Sequence, residues 1–316
     1  MLVIAGVSIL ASLSTRPAEA YVRSMVSPQN PNQLYWSSSC ETVTIYLNGF
    51  SAMTPDEVAK SIGAAAAAWG PDDVTCPADV GDGGNGHPSF EILPQLSTGG
   101  SAPTLVDDSG NPITDGNNSI VFETANYDGP YGSLAYAQVS REPDGRIVEA
   151  DIAINALPDA GFEWVNLDPG TAPGVHLTQY DLQTVMTHEF GHLLGLAHTC
   201  LVGSGVDDGN DVPLGTTDDK GQPIPSCDDN GVPQYAAVMW AKIDDGSSAK
   251  RTLSIDDARG VCAIYPPTRN PPACTQNMPD DGCGCASAGA PTGKVVTFVL
   301  VALALARRRH RATRPH

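Results

Sequence analysis

The stretch Thr187-His188-Glu189-Phe190-Gly191-His192-Leu193-Leu194-Gly195-Leu196-Ala197-His198 decides how the rest of the chain is read. Residues four apart project from one face of a helix, so His188 and His192 can grip a single metal ion. Neutral imidazoles at that spacing suit zinc, and Glu189 beside the first of them is placed to act as a base on water. Gly195 tolerates backbone angles that strain other residues, so the helix can stop there and the chain turn back. That turn brings His198 round as a third ligand. Three protein ligands leave one tetrahedral position open, the arrangement of a catalytic site rather than a closed structural one. The competing reading is a chance His-Glu-x-x-His on a buried helix. The glycine and third histidine at these offsets argue against it.

Composition bounds what surrounds this motif. The chain has 316 residues, enough for one or two domains with a sizeable core. Its formal net charge is −19. Residues 1–20 and 286–316 hold seven of the 17 basic residues and only one of the 36 acidic ones, so the part between is more acidic still. Such a domain repels nucleic acid and anionic membranes. Met1 to Ala20 reads as a signal peptide: an apolar run from Leu2 to Leu13, then Ala18-Glu19-Ala20 as a small-x-small cleavage site. Eight cysteines in an exported chain read as disulfides. Sequence proximity pairs Cys40 with Cys76, Cys200 with Cys227 and Cys262 with Cys274.

Along the chain, Thr42–Leu47 reads as a first strand, and Thr54-Pro55-Asp56-Glu57 is a capping box. The helix that follows puts Val58, Ile62, Ala65 and Trp69 on one face. Strands are expected at Phe90–Leu93, Ser119–Phe122, Leu134–Val139 and Ile147–Ile154, the last two joined by a turn at Pro143-Asp144-Gly145. Thr178-Gln179-Tyr180-Asp181 caps the metal helix, whose packing surface is Leu182, Val185, Met186, Phe190 and Leu193. The fold class is therefore α/β (α+β), with a mixed twisted sheet and two long helices.

The extended His-Glu-x-x-His pattern is similar to the zinc signature of the metzincin proteases. The order of elements across roughly residues 33 to 268 resembles the matrixin branch of that clan. The resemblance implies a zinc endopeptidase with His188, His192 and His198 on one Zn²⁺ and Glu189 as the catalytic base, acting on protein or peptide substrates. It implies a methionine turn beneath the metal, for which Ala237-Val238-Met239-Trp240 is the candidate. It also implies a C-terminal helix, matched by Leu253–Tyr265 with Ser254 and Asp257 as its capping pair. Leu134-Ala135-Tyr136-Ala137 looks like the matrixin edge strand that takes up an extended substrate, and Trp240 to Ile243 like the lining of a substrate side-chain pocket. Alanine at 241, where sister families carry a tyrosine ligand, leaves the protein ligand count at three. No Pro-Arg-Cys-Gly segment precedes the domain, so cysteine-held latency is not expected. No histidine lies between His87 and His176, so neither is a second, structural zinc.

Between His198 and Ala237 lies an insertion whose Asp207, Asp208, Asp211, Asp218 and Asp219 could bind calcium, although their spacing fits no EF-hand loop. A solvated surface loop is the simpler reading. The expected organisation is a signal peptide at 1–20, the protease domain at 21–268, a linker at 269–285 ending in Cys283-Gly284-Cys285, and a sorting segment at 286–316. There an apolar run, Val295 to Ala306, meets Arg307-Arg308-Arg309, which resembles the MYXO-CTERM tail of bacterial surface proteins. That tail implies passage through or residence in the membrane, sorting machinery as a partner, and a location at the cell surface or outside the cell. A zinc-retaining surface adhesion protein without proteolysis is the alternative function. Its weakness is Glu189, since binding alone needs no base beside the metal.

Overall fold

β-Branched residues are concentrated in Cys40–Tyr46 (β1), Asn118–Glu123 (β3) and Ile147–Asn155 (β5), the inner strands of the sheet, where they pack well on a pleated surface. Glu91–Leu96 (β2) and Ala135–Arg141 (β4) complete a five-stranded sheet in the order β2-β1-β3-β5-β4. All neighbours are parallel except β4, which runs antiparallel to β5 with Ala135 opposite Ile154. Pro94 sits in β2, at the other edge, where a missing N–H interrupts no inner ladder. The computed structural model describes residues 21–80, 86–107, 111–130, 132–174, 176–202, 217–229 and 231–270. The expected signal peptide, the sorting segment, Asp207, Asp208 and Asp211 lie outside them. Among the described residues no helix is long and apolar enough to cross a membrane.

Two long helices cover one face of the sheet. Pro55–Ala67 (α1) begins with the capping box read in the sequence: Thr54 accepts from the Glu57 N–H, and Glu57 accepts from the Thr54 N–H. Leu182–Leu193 (α2) is the metal helix. Val58 and Ile62 of α1, Val185 and Met186 of α2, and Ile120, Phe122, Ile152 and Ile154 of the sheet share one core. The period of two sends Val121, Tyr136 and Ala153 to the opposite face, where they pack with Leu105. A third helix, Ile255–Ile264 (α3), closes the fold behind a second capping box formed by Ser254 and Asp257.

Two of the expected disulfides are corrected. Cys76 bonds Cys262, 186 residues away, rather than Cys40, and Cys262 is thereby taken from Cys274. Cys40 is itself disulfide-bonded. Sequence proximity fails here because α3 and the loop after α1 bring distant cysteines to one place in the core. The bond Cys200–Cys227 lies where the sequence suggested.

On β5 two buried carboxylates sit side by side. Asp151 accepts from the Ser119 N–H at 2.8 Å, and Glu149 accepts from the Gly116 N–H. Burial first, and then the neighbouring Glu149, push the Asp151 carboxyl up to about 8.

Candidate metal centre and cleft

The metal helix is held at both ends by groups far away in sequence. At its start Asp181, the last residue of the expected cap, accepts from the Thr184 N–H at 2.9 Å. Arg251 grips the same carboxylate, with Nε 2.8 Å from Oδ2. Three buried aromatic side chains donate to its backbone carbonyls. Trp69 bonds Thr187 O at 2.7 Å, Trp36 bonds Leu193 O at 2.9 Å and Tyr265 bonds Leu194 O at 2.9 Å. Leu193 and Leu194 are among the terminal carbonyls that a helix cannot satisfy by itself.

Gly195 then reverses the chain at φ +96°, and a side chain there would press on the Leu34 carbonyl. The next residues, Leu196–Ala197, form a short antiparallel pair with Val22–Arg23. This strand delivers His198 to the metal helix. The Nε2 atoms of His188, His192 and His198 converge, 2.9 Å apart for the first and last, 3.2 Å for the first two and 3.0 Å for the remaining pair. Imidazoles on a tetrahedral ion at about 2.05 Å would place their nitrogens about 3.3 Å apart, so the donor set fits zinc closely. Nδ1 of His188 lies 2.7 Å from Val238 O, and Nδ1 of His192 lies 2.9 Å from Leu196 O. Those carbonyls can only accept, which puts the proton on Nδ1 and leaves Nε2 as the ligand atom. Burial, then the two neighbouring imidazoles, hold His188 well below the ordinary histidine range, so it is neutral as a ligand must be. Among the described residues this is the one group of three metal-ligating side chains.

Met239 lies directly beneath. A Cβ on Gly191 would meet the Met239 sulfur at 2.1 Å, so glycine is needed for the turn to approach the helix. Asp257 of α3 holds that turn in place. Its carboxylate accepts from the N–H groups of Val238 at 2.8 Å and Met239 at 3.1 Å while also capping α3. Thr199 N–H in turn donates to Met239 O at 2.9 Å, tying the residue after His198 to the same turn. Sequence reading gave Asp257 only its capping role. Its second role depends on a turn 18 residues upstream, which spacing does not reveal.

A cleft of about 550 Å³ runs past the histidines. His188, Glu189 and His198 form its floor, Leu134 and Ala135 one side, and Ala241 to Asp245 the other. Of the expected substrate residues, Leu134 and Ala135 therefore border it. Tyr136 does not, because alternation along β4 turns it to the far face of the sheet. Ala137 is wholly buried in the core under the helices. Trp240 is also corrected: it is 0 % exposed, packed with the Cys200–Cys227 disulfide, and lines no part of the cleft. The residues just after it do so instead. Asp218 closes a surface turn by accepting from the N–H groups of Lys220 and Gln222, and Gln33 donates to Asp219.

Residues 117–204 match the model of the matrixin family, Peptidase_M10. That segment contains β3, β4, β5, the metal helix, all three histidines and Glu189. No curated protein sequence matches the chain. Among solved structures, myroilysin is similar at 15% identity and a TM-score of 0.29, covering 75% of this chain and 96% of its own. Mature mirolysin of Tannerella forsythia in complex with a cleaved peptide is similar at 15% identity and a TM-score of 0.29, covering 73% of this chain and 92% of its own. The family match, laid over a buried three-histidine centre, supports a metzincin-like metallopeptidase.

Proposed function

We propose that this chain is an exported, surface-sorted zinc endopeptidase that cleaves protein or peptide substrates with Glu189 as its general base. The observation that carries the reading is the convergence of three buried imidazole Nε2 atoms, two of whose rings line an open cleft together with Glu189. Zinc, when bound, supplies a Lewis acid that polarises the scissile carbonyl and acidifies water. His188, His192 and His198 would hold it. Val238 O and Leu196 O keep the first two rings in the ligand tautomer by taking their Nδ1 protons in hydrogen bonds. The Glu189 carboxylate takes a proton from the attacking water and passes it to the departing amine nitrogen. β4 is an edge of the sheet, so the backbone beside Leu134 and Ala135 suits an extended peptide added as a further strand.

Export is supported by the buried disulfides Cys76–Cys262 and Cys200–Cys227, which belong to an oxidising compartment. Surface sorting rests on the apolar run and arginine cluster of 286–316. The test of the activity is hydrolysis of an unfolded protein by the purified chain, with a chelator and Glu189→Gln as controls. The proposal expects loss in both, by about 100-fold or more for the variant. Equal cleavage by wild type and Glu189→Gln would remove Glu189 from the mechanism.

A further inference from the structure

Beside the cleft lies a second, more enclosed cavity of about 290 Å³. It shares Ile243 and Asp244 with the cleft, and its walls include Thr184, one helical turn before His188, together with Tyr235, Ala249 and Lys250. At about 30 Å³ per water it has room for roughly nine heavy atoms, ample for one amino-acid side chain.

Lys250 gives this cavity its chemistry. The residue is only 9 % exposed. Its ammonium donates to Lys242 O at 3.0 Å and lies 5.4 Å from the centre of the Tyr235 ring. Among the described residues no carboxylate pairs with it, although the chain carries 36 acidic residues. An ammonium has three N–H donors, so one carbonyl leaves it under-satisfied, and a buried cation without a direct ion pair is costly. Burial shows in the amine itself, which is lowered to about 8. Asp244 and Asp257 are the nearby acids and their charges favour the ammonium, but Asp244 receives the Tyr235 O–H at 2.7 Å, Asp257 accepts from Val238, Met239 and Ser254, and neither makes an ion pair with Lys250. Nor is Lys250 loosely placed, because the adjacent Arg251 is fixed to Asp181 at the start of the metal helix.

We propose that this cavity is the specificity pocket of the cleft, and that Lys250 selects substrate side chains tipped with a hydrogen-bond acceptor, glutamate or glutamine. The proposal rests on the endopeptidase reading above. Leucine or phenylalanine would fill the space but leave the ammonium as under-satisfied as before. Lysine or arginine would bring a second cation to it. Asp244 moderates the pull on a full negative charge, which is why glutamine belongs in the same class.

The test is to digest a proteome-derived peptide mixture with the zinc-loaded full chain and sequence the new termini. Glutamate and glutamine should be enriched at one position next to the cleaved bond. On paired peptides differing only there, kcat/KM for glutamate should exceed that for leucine by about 10- to 100-fold, the range of a charge-assisted hydrogen bond. Lys250→Met should bring that ratio close to one, and Lys250→Arg should retain part of it. Enrichment of aliphatic or basic residues in place of glutamate and glutamine overturns the pocket assignment. So does a ratio unchanged by Lys250→Met. The wild-type profile decides the matter even if the variants fold poorly. Absence of any cleavage by the zinc-loaded chain overturns the endopeptidase reading, and this proposal with it.

Discussion

Asp257→Ala should damage both the fold and the metal centre, although Asp257 is not among the three metal-ligating histidines. Its carboxylate accepts four hydrogen bonds: Val238 N–H at 2.8 Å, Met239 N–H at 3.1 Å, Ser254 N–H at 2.8 Å and Ser254 O–H at 2.7 Å. Alanine would strand the two N–H groups of the methionine turn in a region that is 0–1 % exposed. Each stranded donor costs about 1–3 kcal/mol. Losing the reciprocal cap of α3 adds about 1 kcal/mol. The sum, about 3–7 kcal/mol, is a large share of the roughly 5–15 kcal/mol that holds a domain together. The disturbance would reach the metal because Val238 O orients His188 and Met239 O holds the residue after His198. Urea unfolding of the metal-free chain should show the lost stability, and competition with a chromophoric chelator should show weaker zinc binding. Asp257→Asn, which keeps shape and one acceptor, should fall between. An Asp257→Ala chain within about 1 kcal/mol of wild type and with unchanged zinc affinity would refute the reasoning.

Other perturbations follow from the same geometry. Gly191→Ala would drive a methyl into the Met239 sulfur and against Trp69, costing about 1–3 kcal/mol, measurable as a lower Tm; an unchanged Tm would mean the turn does not press on the helix. Replacing Cys200 and Cys227 with serine should lower stability by about 3.5 kcal/mol for a 27-residue loop, in denaturant titration. It should also weaken zinc binding, because the bond sits two residues after His198. Asp151 supplies the pH dependence. Its folded carboxyl is raised to about 8 from 3.8, so the native state holds a proton that the unfolded state has released. Stability from this group is thus fully present below about 4, falls as pH rises, and is lost by about 8. Asp151→Asn, neutral throughout, should flatten the Tm-against-pH curve over that window; a curve identical to wild type would place the proton elsewhere.

How much of this was legible beforehand depends on whether the signal was local. The metal helix, both capping boxes and the five strands of the sheet rest on short-range patterns, and each appears within a few residues of its expected place. The burial of Tyr136 away from the cleft was also written in the period of β4, since successive strand residues face opposite sides and Tyr136 therefore points away from Ala135. Taking all four residues as a substrate edge ignored that alternation. The pairing of Cys76 with Cys262 was not legible, because it follows from the tertiary meeting of the loop after α1 with α3 rather than from spacing. Trp240 failed for a related reason. A tryptophan next to the methionine turn suits either a pocket wall or the core, and only the Cys200–Cys227 bond beside it settles the matter for the core. Gly191 carried a signal that could have been used: a glycine inside a helix often marks a close approach, here that of Met239.

The central claim is tested most directly by stripping the purified chain of metal and adding zinc back in measured steps while following peptide hydrolysis. Activity should be absent at the start, rise linearly, and saturate at one zinc per chain, with His198→Ala failing to recover at any stoichiometric dose. Hydrolysis that survives stripping, or that is indifferent to added zinc, would contradict the account.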